Sequence, residues 1–174
     1  SVDFFMTEAC NIAENSQYQI AYRKIPKKYD EIPMLNYQTN ISYAIVMQGP
    51  IRTEENFTLT TVNYYKRTFP QAHIIVSTWD DESKDIIEQI EKAGAYVVLN
   101  SKPTCTGTLM VNYQLVNSLG GIKKAAELGA EYIAKTRTDQ RICRLHFLDY
   151  CKALLQNFPN QPNGSQENDR IVKL

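Results

Sequence analysis

Glu131–Arg141 reads EYIAKTRTDQR, and the fold follows from how that stretch is taken. Tyr132, Ile133 and Ala134 are apolar, and Lys135, Arg137 and Asp139 then follow at every second position. The pattern predicts a buried strand running into a polar end. In an extended chain the three charged side chains leave from one face. Two cations and a carboxylate on one face have two explanations. Either they pair with one another, or they wait for an anion and a metal.

Working outward, other short apolar runs share this form. Tyr43–Met47 is continuous and apolar and stops at Gln48-Gly49-Pro50. Ala72–Thr78 centres on Ile74, Ile75 and Val76 and stops at Trp79-Asp80-Asp81, and Tyr96–Leu99 is a third run. All-apolar runs bounded by turn residues are the signature of parallel strands covered on both sides. Helical patterns lie between them. The first opens at Thr53-Glu54-Glu55, with Thr53 placed to cap it, and runs to about residue 67. Ser83–Ala93 is amphipathic, with Ile86, Ile87 and Ile90 on one face and Gly94 as its stop. Leu115, Val116, Leu119, Ile122 and Ala126 keep helical spacing across Gly120-Gly121. Paired glycines cost roughly 1 kcal/mol each inside a helix, so either one kinked helix or two helices meeting there are expected. Leu145–Asn157 is expected as a last helix.

The order β-α-β-α-β-α-β-α predicts an α/β domain over residues 41–157, a parallel sheet with helices on both faces and right-handed crossovers. Residues 1–40 read as a partly irregular lead-in containing a short helix at Asp3–Glu14. Residues 158–174 read as a polar loop and the start of a further element, so a piece of a longer protein is expected. Ligands of such sheets bind beyond the carboxyl ends of the strands, near a reversal of strand order. Here those ends are Gln48–Arg52, Thr78–Asp81, Asn100–Thr108 and Arg137–Arg141.

Composition narrows the classes. Lys plus Arg and Asp plus Glu each total 19 in 174 residues, and a zero net charge speaks against a general nucleic-acid binder. No apolar run approaches the length of a membrane span, and the first residues lack the order of a signal peptide. The expected location is cytoplasmic. Arg23, Lys24, Lys27 and Lys28 around Pro26 read first as a solvated linker and second as a peripheral contact with anionic lipid at the inner face of the membrane. Cys143, His146 and Cys151 fall short of a metal set, so Cys10, Cys105, Cys143 and Cys151 are expected as free thiols in a reducing compartment.

Motifs exclude more. There is no GxxxxGK run followed by Ser or Thr, no GxGxxG after the first strand and no GxSxG. His73 and His146 are expected as structural histidines. Asp139 is the best single candidate for chemistry, because an Asp just past a buried strand can hold a divalent metal that bridges a diphosphate. Lys135 and Arg137 would add positive charge beside it. A strand-end salt bridge, with Asp80 or Asp81 as partner, is the structural alternative.

The ordered runs Ile45-Val46-Met47-Gln48-Gly49-Pro50, Phe69-Pro70, Ile75-Val76-Ser77-Thr78-Trp79, Asn112-Tyr113-Gln114, Gly121-Ile122-Lys123-Lys124-Ala125 and Tyr132–Asp139 resemble the WavE-like lipopolysaccharide synthesis family over roughly residues 42–142. The resemblance implies a Rossmann-like GT-A fold. It also implies transfer of a sugar from a nucleotide-sugar donor to a glycan or lipid-linked acceptor, in assembly of a surface polysaccharide or lipopolysaccharide. Gln48, Gly49, Pro50 and Arg52 would face the donor, and Asp139 would stand where such enzymes carry a metal-binding Asp-x-Asp for Mn²⁺ or Mg²⁺. Here the motif reads Asp139-Gln140-Arg141, with one carboxylate. Either Asp139 holds the metal with diphosphate and water, or Arg141 meets the diphosphate directly. Asp80 and Asp81 are each an active-site acid or a cap of the following helix. Trp79 stacks on the donor or packs on the sheet. Asn112 and Gln114 reach the donor or are solvated. The catalytic base is expected beyond Leu174. The rival expectations are a non-catalytic nucleotide- or glycan-binding module and a sugar-phosphate nucleotidyltransferase.

Overall fold

The structure is a computed structural model that describes residues 41–157. These belong to the compact unit Met34–Leu174. The expected helix at Asp3–Glu14, the basic cluster around Pro26 and the polar tail lie outside the described residues.

The strands are β1 (Tyr43–Gln48), β2 (Ala72–Trp79), β3 (Tyr96–Asn100) and β4 (Tyr132–Arg137). The helices between and after them are α1 (Phe57–Thr68), α2 (Lys84–Lys92), α3 (Val111–Glu127) and α4 (Phe147–Asn157). One parallel four-stranded sheet results, in the order β3-β2-β1-β4. The α/β class and the parallel sheet are therefore as the sequence predicts. The chain builds outward from β1 to β3, then returns to the other side of β1 to lay down β4. The reversal lies between β1 and β4.

Period-two alternation sends β1 residues to two cores. Tyr43, Ile45 and Met47 join Ile74 and Val76 of β2 under Val62, Tyr65, Ile86, Ile90 and Leu148, which come from α1, α2 and α4. Ala44, Val46 and Ile75 face the other way, onto Ala125 of α3. Every residue of β1 is buried, as a strand covered on both sides requires. The outer strands differ from expectation. Both β3 and β4 were expected to be buried, but Tyr96, Leu99 and Lys135 are exposed. With four strands only two are interior, and β3 and β4 are the edges.

Helix α3 departs furthest from its sequence pattern. It is a single helix of 17 residues across Gly120-Gly121. Its buried face is Asn117, Gly121 and Ala125, whereas Leu115, Leu119 and Ile122 point to solvent. The glycines explain the inversion. A Cβ on Gly121 would lie 2.3 Å from Val46 Cγ1, and one on Gly120 would lie 2.2 Å from Asn100 Oδ1. At Gly121 the helix lies close against Val46 and Ser77 of the sheet, and at Gly120 it meets the Asn100 side chain, so a Cβ at either would force a neighbour to move.

Helix starts are less conventional than expected. Thr53 makes no side-chain cap; a 3-10 turn at Glu54–Asn56 leads into α1 instead. The residue ahead of α2 is Ser83, so neither Asp80 nor Asp81 caps that helix. Among the described residues no helix is long and apolar enough to cross a membrane.

Candidate functional site

The site is built from the carboxyl ends of β1 and β4, at the reversal of strand order. β4 pairs with β1 in the register Val46 to Lys135 and Gln48 to Arg137. The strand stops at Arg137, and the chain turns at Thr138-Asp139, where the Gln140 amide donates to the Arg137 carbonyl over 3.1 Å. Asp139 is thus in a turn and not on the strand. Its carboxylate folds back on the arginine two residues earlier.

That contact is bidentate. Arg137 Nε donates to Asp139 Oδ1 over 2.8 Å, and its Nη2 donates to Oδ2 over 2.6 Å. Arg52 approaches Oδ2 from the β1 side, at 3.9 Å. The hydrogen bonds and charge of Arg137 hold the Asp139 carboxyl below the usual carboxylate range and hold the guanidinium above its own. Arg52 and Arg137 are 43% and 46% exposed and Asp139 is 32% exposed, so the three are open to a ligand. Of the two explanations for the charged alternation, pairing is what the structure shows, and the partner of Arg137 is Asp139 rather than Asp80 or Asp81. Lys135 is exposed two residues back along the same strand.

A frame of buried hydroxyls positions these charges. Thr138, between the two paired residues, is 2% exposed. Its amide donates to the Gln48 carbonyl over 3.1 Å, and its hydroxyl donates to the Pro50 carbonyl over 2.7 Å. Its own carbonyl accepts from the Thr58 hydroxyl over 3.1 Å, and the same Thr58 oxygen accepts the Arg52 amide over 2.9 Å. Gly49 sits at φ +120°, with its pro-Cβ position 3.1 Å from Thr138 Oγ1. The backbone angle favours glycine there, and a Cβ would crowd the Thr138 hydroxyl. On the far side Glu82 accepts from the Ile51 amide and the Thr78 hydroxyl, each over 2.8 Å. The Gly49 amide donates to the Ser77 carbonyl over 3.0 Å, and the backbone of Gln48, Pro50, Ile51 and Arg52 is held by Thr138, Glu82 and Thr58. Sequence reasoning named none of these three. Thr138 sat inside the quoted stretch, between two charges that drew attention from it. Glu82 falls between the strand end at Trp79-Asp80-Asp81 and the helix pattern from Ser83, and neither pattern includes it.

The remaining candidates are placed elsewhere. Arg141 lies against α1, its Nε donating to Thr61 Oγ1 over 3.0 Å and its guanidinium 4.9 Å from the Phe57 ring centroid. Asp80, at the end of β2, accepts from the Ser101 hydroxyl over 2.6 Å, and Asp81 pairs with Lys102. Trp79 is 5% exposed and meets Tyr113 edge to face at 5.0 Å. Its packing role is the one observed, and it offers no ring face for a base to stack on. Asn112 donates to the Cys105 carbonyl over 3.0 Å, securing its own loop.

The residues do not suit a resident divalent ion. Such an ion needs several oxygen ligands. Both oxygens of Asp139 are taken by Arg137, and a second cation stands at 3.9 Å. Among the described residues no group of three or more His, Cys, Asp or Glu side chains is placed to hold a metal.

The family model for WavE lipopolysaccharide synthesis matches residues 43–173, from the first residue of β1 through the end of α4 and beyond. The chain belongs to the WavE lipopolysaccharide synthesis family. No curated protein and no solved structure matches it. Membership of the WavE family carries involvement in lipopolysaccharide synthesis, and the matched residues include every side chain of the site just described.

Proposed function

We propose that this WavE-family chain carries the donor-binding part of a glycosyltransferase with a GT-A-like architecture, moving a sugar from a nucleotide-sugar to a lipopolysaccharide or other surface-glycan precursor. The observation that carries this is the meeting of Arg52 and Arg137 at the strand-order reversal of a parallel sheet. That is where open α/β sheets bind ligands, and a pair of exposed guanidinium groups suits a diphosphate.

The chemistry would be displacement at the anomeric carbon, with the nucleoside diphosphate leaving. Charge then grows on the phosphate oxygens, and the donors that help are those already aimed there. Arg52 and Arg137 would take that charge, with Lys135 as a third cation along the strand. The Gly49 backbone, with no Cβ, lets the donor come close to the end of β1. Asp80, an exposed carboxylate at the end of β2, is the candidate base within the described residues. The acceptor, a glycan or lipid-linked precursor, would be met at the inner face of the membrane.

Calorimetry with uridine, cytidine, guanosine and adenosine diphosphates, with and without Mn²⁺, tests the reading. Binding of at least one, weakened tenfold or more by Arg137→Ala, is the expected result. No binding of any would remove the donor-site reading. Binding without hydrolysis or transfer of the sugar would support a non-catalytic module instead.

A further inference from the structure

We infer that Asp139 is a built-in counter-ion that a diphosphate displaces, and that the site meets its ligand with Arg52 and Arg137 rather than through a metal held by Asp139. The inference rests on the donor-site reading above and adds to it what the lone carboxylate does.

Three observations converge. The Asp139 carboxylate offers two oxygens to Arg137 in the fork geometry that a phosphate group would use. The second arginine, Arg52, lies 3.9 Å from the same carboxylate, too long for a hydrogen bond and near enough to be drawn in by a more highly charged group. The three charges sum to +1 before Lys135 is counted, and a site for a metal–diphosphate pair would instead be negative when empty. A carboxylate placed among arginines is an anion in an anion site.

Displacement is cheap because the pair is open. Arg137 is 46% exposed and Asp139 32%, so a ligand can reach both partners and solvent screens the pair although it is bidentate. A diphosphate brings more charge and more acceptor oxygens than one carboxylate, so it outcompetes it. The turn at Thr138-Asp139 allows the exchange. The buried frame holds the backbone of Thr138, while the Asp139 side chain itself makes no bond to that frame apart from its arginines. Once displaced, Asp139 lies beside the ligand as a like charge, which limits affinity and favours release of the diphosphate product.

Titration calorimetry of the full chain with inorganic pyrophosphate tests this, using wild type, Asp139→Asn and Asp139→Ser. Urea midpoints of both variants establish that they fold. Asp139→Asn is expected to bind pyrophosphate roughly three- to tenfold more tightly than wild type, with no requirement for Mn²⁺. Asp139→Ser should do the same, which separates loss of the charge from any effect of the amide. If wild type binds and both variants bind equally or more weakly, the counter-ion role is wrong and the donor-site reading stands. If binding by wild type requires Mn²⁺ and is lost in both variants, Asp139 is a metal ligand and the inference is overturned. If no form binds pyrophosphate or a nucleoside diphosphate, both readings fall together.

Discussion

Replacing Gly121 by alanine puts one methyl group where α3 touches the sheet. The added Cβ would lie 2.3 Å from Val46 Cγ1 and 3.1 Å from Ser77 Cβ. Carbon atoms prefer at least about 3.5 Å, so the helix or the valine must yield by about 1.2 Å. Val46 is fully buried in the strand at the centre of the topology, paired on both sides, and has little freedom to move. Overpacking of this kind costs about 1–3 kcal/mol, and alanine returns about 1 kcal/mol of helix propensity. Because the neighbour is a branched side chain on a central strand, the upper half of the range applies, and a net loss of about 1–2 kcal/mol is expected. Urea unfolding followed by circular dichroism measures it as a lowered midpoint at unchanged slope. Val46→Ala removes the clashing methyls, so Val46→Ala/Gly121→Ala should lose less than the sum of the singles, by at least about 1 kcal/mol. A neutral or stabilising Gly121→Ala, additive with Val46→Ala, would show that α3 does not rest on the sheet at this residue.

Three other outcomes follow from the same contacts. Glu82→Ala strips the acceptor from the Ile51 amide and the Thr78 hydroxyl. It should cost about 1.5–3 kcal/mol in a urea melt and weaken nucleoside diphosphate binding, whereas Glu54→Ala, on an exposed turn, should do neither. Leu119→Ser falls on the outward face of α3 and should shift stability by no more than about 0.5 kcal/mol; a loss of 2 kcal/mol or more would mean the face is covered. Burial raises the Cys151 thiol to about 11, so at pH 8 it holds very little thiolate, while Cys105 and Cys143 are exposed. Iodoacetamide with peptide mapping should label Cys105 and Cys143 first and reach Cys151 only slowly or after unfolding; equal rates would contradict the packing of α4.

The parts of the fold legible in the sequence are those where burial and periodicity agree. β1 and β2 are interior strands, and their unbroken apolar runs say so. β3 and β4 carry similar runs, but an edge or interior place depends on how many strands follow and on which side, which no single strand encodes. α3 shows the limit most clearly. Leu115, Leu119 and Ile122 have the spacing of a packed face, yet Gly121 and Ala125 make the contact. Periodicity weighs side chains, and here the packing depends on having almost none. The alternation Lys135, Arg137, Asp139 pointed to the strand-order reversal, because charges clustered at a strand end are visible locally, although Asp139 falls in the turn beyond the strand. Thr138, Thr58 and Glu82 were not visible. A threonine is informative only through its partners, and these lie 80 and 88 residues away.

Those separations bear on how the domain comes into being. Thr138 closes its frame onto Pro50 and Thr58 only after β4 has docked beside β1. Bringing ends 80 or more residues apart carries a loop-closure cost that no local contact offsets in advance. A nascent chain released residue by residue can lay β1, β2 and β3 side by side while the arginine of β4 is still unmade. Arg52 then waits without Arg137, and the turn that carries Asp139 does not exist. The charged turn is therefore among the last features of the domain to close, so under the proposed donor-site reading nucleoside diphosphate binding would report completed folding.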